Sequence, residues 1–175
     1  HHVGKHYPLA RGLADCLRRP VSSRREPALL EVSFEVECGQ ILGVVGHNGA
    51  GKTTMLKILC DLLAPDAGEA VVLGYRLPQQ GRELRARIGY VPSDERSFFW
   101  RLSGRANLEF FAGLYDVPLK ITKRRIEELL EVFGLSGKAG GHFRDYSSGM
   151  RKRLAIIRAL LHQPQMLVLD EPTNS

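Results

Sequence analysis

Apolar and polar residues alternate over 30–36, "LEVSFEV", with Val32, Phe34 and Val36 on one side. This predicts a half-buried strand closed by a turn at Gly39. The next run, "ILGVV" at 41–45, is continuously apolar. It predicts a strand covered on both faces, as in the parallel sheet of an α/β fold. A glycine-rich turn follows, then "KTTMLKILCDLL", in which Met55, Ile58, Leu59 and Leu62 recur at helical spacing before Pro65 and Gly68. The order is strand, glycine loop, helix.

"EAVVL" and "RIGYV" predict two further strands. Beyond Pro92 the period changes to that of helices, expected over 104–115, 122–133 and 148–163, with Thr122 as an N-cap and Gly134 as a C-cap. "QMLVLD" at 165–170 returns to the buried-strand pattern. The chain therefore reads as an α/β core with a mostly parallel sheet, residues 1–92 and 164–175, interrupted by a helical subdomain at 93–163.

Composition narrows the class without changing that picture. With 175 residues, 43% hydrophobic and 25% charged, the chain has the balance of a single globular domain with a real core. No stretch approaches the roughly 18 to 20 uninterrupted apolar residues of a membrane span, so a membrane role is expected to pass through a partner. Cys16, Cys38 and Cys60 are odd in number and contain no CxxC pair, which points away from a disulfide framework or a zinc site. Residues 1–30 hold +4 of the net charge of +6. Much of that lies in "RRPVSSRREP", 18–27, expected to be a solvated basic insertion, with a nucleic-acid or anionic-lipid contact as the sharper alternative. The chain lacks an initiating methionine, and both ends are expected to be cut.

Three motifs carry chemistry. "GHNGAGKTT", residues 46–54, satisfies G-x-x-x-x-G-K-[ST] between a predicted buried strand and a predicted amphipathic helix. Gly46, His47, Asn48, Gly49, Ala50 and Gly51 are expected to bend so that backbone N–H groups cradle phosphates; Lys52 reaches the β- and γ-phosphates, Thr53 ligates Mg²⁺, and Thr54 continues the helix N-terminus. "MLVLDE", 166–171, delivers Asp170 to a strand end where an acid holds Mg²⁺, with Glu171 next to it to orient or deprotonate a water. "YSSGMRKRL", 146–154, puts Ser147, Ser148, Gly149 and Met150 at a helix N-terminus, a second anion-binding surface.

In their order and spacing, these motifs and the helical insertion between them resemble the ATP-binding subunit of an ABC transporter over essentially the whole chain. The resemblance implies a P-loop ATPase with ATP and Mg²⁺, acting as a head-to-tail pair with a second copy. Ser147 and Gly149 would then contact the γ-phosphate of the partner's ATP, Asp170 would serve Mg²⁺, and Glu171 would be the general base. It implies membrane permease subunits on a separate chain and a place on the cytoplasmic face of the plasma membrane. Tyr7, at the end of "VGKHY", would stack on adenine.

Two departures stand out. The signature is Tyr146-Ser147-Ser148-Gly149-Met150 where the family usually has Leu-Ser-Gly-Gly-Gln, a form associated with exporters of polysaccharides, lipids or drugs. Ser93 stands where the family has a glutamine after "IGYVP", so Asp94, Glu95 or a water would take over its role. Phe98, Phe99 and Trp100 would pack on a permease helix or bury as a cluster. His162 precedes the Asp170 strand, near the exposed end of the signature helix, and is no substitute for the family's switch histidine. The rival reading, a soluble ABC-type ATPase acting on nucleic acid or ribosomes, rests on the basic segment alone.

Overall fold

The computed structural model describes residues 1–8, 25–94 and 96–172. Most of the expected basic insertion and Glu95 lie outside them. Two compact units divide the chain, His1–Gly81 and Arg82–Ser175.

In the first unit, β1 (Val3–Pro8) pairs antiparallel with β2 (Arg25–Val32), placing Tyr7 opposite Glu26. Asp66 braces this ladder: it takes the Lys5 ammonium at 2.8 Å and the His6 N–H at 2.8 Å. Helix α1 (Lys52–Leu59) turns Met55 and Ile58 inward, two of the positions expected from its period. The hairpin β3 (Ala70–Val72) to β4 (Tyr75–Leu77) turns through Leu73 and Gly74, both at positive φ, as a two-residue primed turn requires. Cys60 is buried, and burial pushes its thiol up to about 12, which keeps it an inert apolar filler.

Two expected strands differ here. β2 ends at Val32, and residues 33–47 carry no strand; Ile41 is 99% exposed and Val45 97%. The "ILGVV" run is apolar enough for a buried strand, but a strand is held by ladder hydrogen bonds from a neighbour, and no described strand pairs with it.

The short helix α2 (Gly81–Arg85) begins at the division, and in the second unit β5 (Ile88–Val91) pairs parallel with β6 (Met166–Leu169) in register from Ile88↔Met166 to Val91↔Leu169. A parallel pair needs a long crossover, and helices α3 (Gly104–Leu114), α4 (Leu119–Val132) and α5 (Ser148–Leu160) supply it. Leu108, Leu130, Phe143, Leu154 and Ile157 from these helices and the turns between them are among the most deeply buried side chains. Ser103 caps α3 by accepting from the Ala106 N–H.

Helix α4 starts earlier than expected. Pro118 is its N-cap, and Thr122 is buried in the first turn, donating to the Val117 and Pro118 carbonyls. Its end follows the sequence reading closely: Gly134 sits at φ 63, its N–H and that of Leu135 returning to the Glu131 and Leu130 carbonyls. This is a Schellman motif with Leu135 in the core.

Candidate nucleotide site

The phosphate loop is built around two left-handed glycines, Gly49 at φ 83 and Gly51 at φ 84. A Cβ on Gly51 would run into the Ala28 carbonyl and the Leu29 side chain of β2. Glycine is thus required there twice, by dihedral and by space. The Lys52 ammonium folds back over the loop and donates to the Gly46 and His47 carbonyls at 2.7 and 2.8 Å. No side chain caps the start of α1, so its first N–H groups point at the loop as donors. A curled loop, an ammonium over it and an uncapped helix start form a donor set that suits a polyphosphate.

In the second unit, the β5–β6 pairing runs one step past the strand: Asp170 N–H donates to the Val91 carbonyl at 2.9 Å, and Asp170 is 2% exposed. A carboxylate at that depth needs donors or a cation around it. At Glu171 the chain turns into the left-handed region, φ 50, and its carbonyl accepts from the Lys152 ammonium of α5 at 2.9 Å.

The start of α5 is exposed at Ser147, Ser148 and Gly149. Ser147 is its N-cap, its hydroxyl accepting from the Met150 N–H at 3.3 Å. A Cβ on Gly149 would meet nothing within 4 Å. Packing among the described residues does not ask for glycine at that position.

The family profile described as ABC transporter matches residues 29–174. The chain is an ABC transporter family member. It is 38% identical to the ABC transporter ATP-binding protein NatA of Bacillus subtilis (strain 168), over 93% of this chain and 66% of that one. It is 39% identical to the doxorubicin resistance ATP-binding protein DrrA of Mycobacterium tuberculosis, over 90% of this chain and 47% of that one. It therefore spans about two thirds of the first relative and about half of the second. A dimeric bacterial ABC transporter cassette superposes with a TM-score of 0.81 at 24% identity, covering 98% of this chain and 72% of that one. The expected P-loop ABC ATPase fold is borne out at that level.

The ABC departures can be placed too. Ser93 is exposed in a bend after β5, and Asp94 beside it pairs with Arg96 at 2.6 Å on the surface. Tyr7 is exposed on β1. Of the aromatic triplet, Phe98 is buried against Phe111 and Phe143, whereas Phe99 and Trp100 are about half exposed, Trp100 lying under the Arg151 guanidinium at 4.7 Å. The buried-cluster expectation therefore holds for Phe98. His162 is half-buried rather than exposed; its Nε2 lies 3.0 Å from the Ile88 carbonyl. Among the described residues no helix is long and apolar enough to cross a membrane, and no cluster of His, Cys, Asp and Glu could hold a metal.

Three residues escaped the sequence reading. Asn107, fully buried, bonds both backbone groups of Phe99 and sets that aromatic in place. Arg158 is 6% exposed, donates to the Ser97 hydroxyl and the Tyr90 carbonyl, and stacks on Phe98 and Phe111 at 5.3 and 5.1 Å. Its signal was available: it stands four residues after Leu154, on the apolar stripe of α5. Lys152 is the third, three residues before Ala155 on a face of small buried residues.

No described span would cross a membrane, and the phosphate loop and Asp170 are carried by different units.

Proposed function

We propose that this chain is the ATP-binding and ATP-hydrolysing motor of an ABC exporter, working as a pair with a second copy and driving permease subunits on a separate chain from the cytoplasmic face of the membrane. The observation that carries the reading is the Lys52 ammonium folded over the loop at an uncapped helix start. Gly46 to Thr54 bind the triphosphate through backbone N–H groups and Lys52. Thr53 and Asp170 are the proposed oxygen donors for Mg²⁺, which when bound neutralises charge on the β- and γ-phosphate oxygens. Glu171 takes the proton of the attacking water. Tyr7 offers its exposed ring to adenine.

Ser147, Ser148, Gly149 and Met150 face the nucleotide held by the partner. Gly149 supports this: nothing in the packing of the described residues calls for glycine there. Close approach by something outside the chain is a reason for its presence. Residues 1–92 and 164–175 form the nucleotide core and 93–163 the signature subdomain, with Ser93 marking the junction at which the permease is sensed. The resemblances to NatA and to DrrA, named for doxorubicin resistance, favour an exporter over a nucleic-acid or ribosome ATPase.

The test uses the protein as its natural reading frame encodes it. Glu171→Gln is expected to bind ATP, abolish turnover and accumulate as a dimer in gel filtration with ATP. Hydrolysis at the unmodified rate removes the base assignment. Recovery with ribosomes, instead of with a polytopic membrane protein after mild crosslinking, removes the exporter role.

A further inference from the structure

Glu171 stands one residue beyond the point where the β5–β6 pairing ends, at φ 50. A non-glycine residue in the left-handed region is disfavoured against its right-handed form, so its surroundings must hold it. The direction of its carboxylate follows from the orientation of its Cα, which the two flanking peptide planes set. The peptide just before them, Leu169–Asp170, is anchored by Asp170 N–H on the Val91 carbonyl. The plane that follows Glu171 is held by a long-range contact: the Lys152 ammonium, part-buried on α5, donates to the Glu171 carbonyl at 2.9 Å across nineteen residues of sequence.

We infer that Lys152 is a positioning residue for Glu171: by holding the Glu171 carbonyl it fixes the backbone turn that aims the carboxylate, and it ties that aim to helix α5. Lys152 lies five residues after Ser147, the cap of the same helix, so a shift of α5 moves the ammonium and with it the Glu171 peptide. The contact is to a carbonyl, so it acts on the backbone that carries the carboxylate. Loss of the tie therefore alters the geometry of proton removal rather than nucleotide binding. This inference rests on Glu171 being the general base.

The experiment compares Lys152→Met, Lys152→Arg, Glu171→Gln and the Met–Gln double variant in the protein as its reading frame encodes it. Steady-state ATP hydrolysis, affinity for a fluorescent non-hydrolysable ATP analogue and the thermal midpoint are read for each. Lys152→Met is expected to lower kcat by about tenfold with KM and analogue affinity within about twofold of the original, the pattern of an interaction used in the transition state. Lys152→Arg, which keeps a donor of similar reach, is expected to recover kcat to within about threefold. Added to Glu171→Gln, Lys152→Met is expected to change nothing further.

The inference is overturned if Glu171→Gln is inactive while Lys152→Met turns over normally. It is also overturned if the Lys152→Met loss appears in KM, in analogue affinity or in the folded fraction, because the lysine then supports the chain and not the carboxylate. Glu171→Gln hydrolysing at the original rate is a different result: it removes the base assignment itself.

Discussion

Ile41–Val45 and Met166–Leu169 are both short, continuous apolar runs just before a site motif, yet only the second is a strand. Met166–Leu169 finds β5 alongside it in parallel register, and the ladder carries on to Asp170. Ile41–Val45 has no paired strand among the described residues, and its apolar side chains are exposed, Ile41 and Val45 almost completely. Hydrophobicity supplies the tendency, but a hydrogen-bonded neighbour decides whether a strand forms. The phosphate loop next to the unpaired run nevertheless holds its shape, because Gly49, Gly51 and the Lys52 bonds to Gly46 and His47 are local.

The largest effect that sharpens this contrast comes from placing an aspartate in each run. Val168→Asp puts a charge into a 4%-exposed position beside β5; it is expected to cost at least about 3 kcal/mol and to unfold the second unit. Val45→Asp, at a solvent-facing position, is expected to stay within about 0.5 kcal/mol. Denaturant unfolding of the 175-residue chain followed by circular dichroism measures both. Equal losses would mean that Ile41–Val45 is packed in solution.

The same contrast explains what could be read in advance. Features set by a few adjacent residues were legible: the glycine loop, the helices, Ser147 at a helix N-terminus and Gly134 at a helix end. Asp170 at the end of an apolar run was legible because its neighbour strand, "RIGYV", was itself recognisable. The early start of α4 was not, since the fixed φ of Pro118, −57, competes with the capping preference of Thr122, which is buried instead. Lys152 and Arg158 were missed for other reasons. Lys152 sits in the basic run 151–153, which reads as a solvated face, whereas Arg158 stands alone on the apolar stripe of α5, where its spacing from Leu154 was the signal overlooked.

A smaller effect compares two glycines. Gly51→Ala must hold alanine at φ 84 against the Ala28 carbonyl and is expected to destabilise the first unit by about 1–3 kcal/mol. Gly149→Ala meets open space within helical geometry and is expected to stabilise α5 by about 0.4–1 kcal/mol. If Gly149 faces a partner's nucleotide, the more stable variant is also the one that loses ATP-dependent dimerisation. Thermal melting and gel filtration with ATP, read on one preparation, separate these effects. A Gly149→Ala protein that dimerises normally would leave the signature glycine without its proposed purpose.

The smallest effect tests the β5 end of the paired strands by pH. His162 lies at the end of α5 against Tyr115, ring centres 4.6 Å apart, with Nε2 at 3.0 Å from the Ile88 carbonyl that begins β5. Burial lowers its pKa from the ordinary 6.5, and the bond to the Ile88 carbonyl opposes that shift without reversing it. The unfolded chain therefore takes up this proton at a higher pH than the folded one. The resulting stability is complete above pH 6.5 and is lost as pH falls through the lower, folded value. His162→Gln keeps a donor for the Ile88 carbonyl but cannot titrate, so its unfolding free energy is expected to fall less steeply between pH 6.5 and 5. Denaturant midpoints of both proteins across that interval measure the difference. Parallel pH profiles would show that the imidazole is solvated in both states, and that the β5 end is open to water like Ile41–Val45.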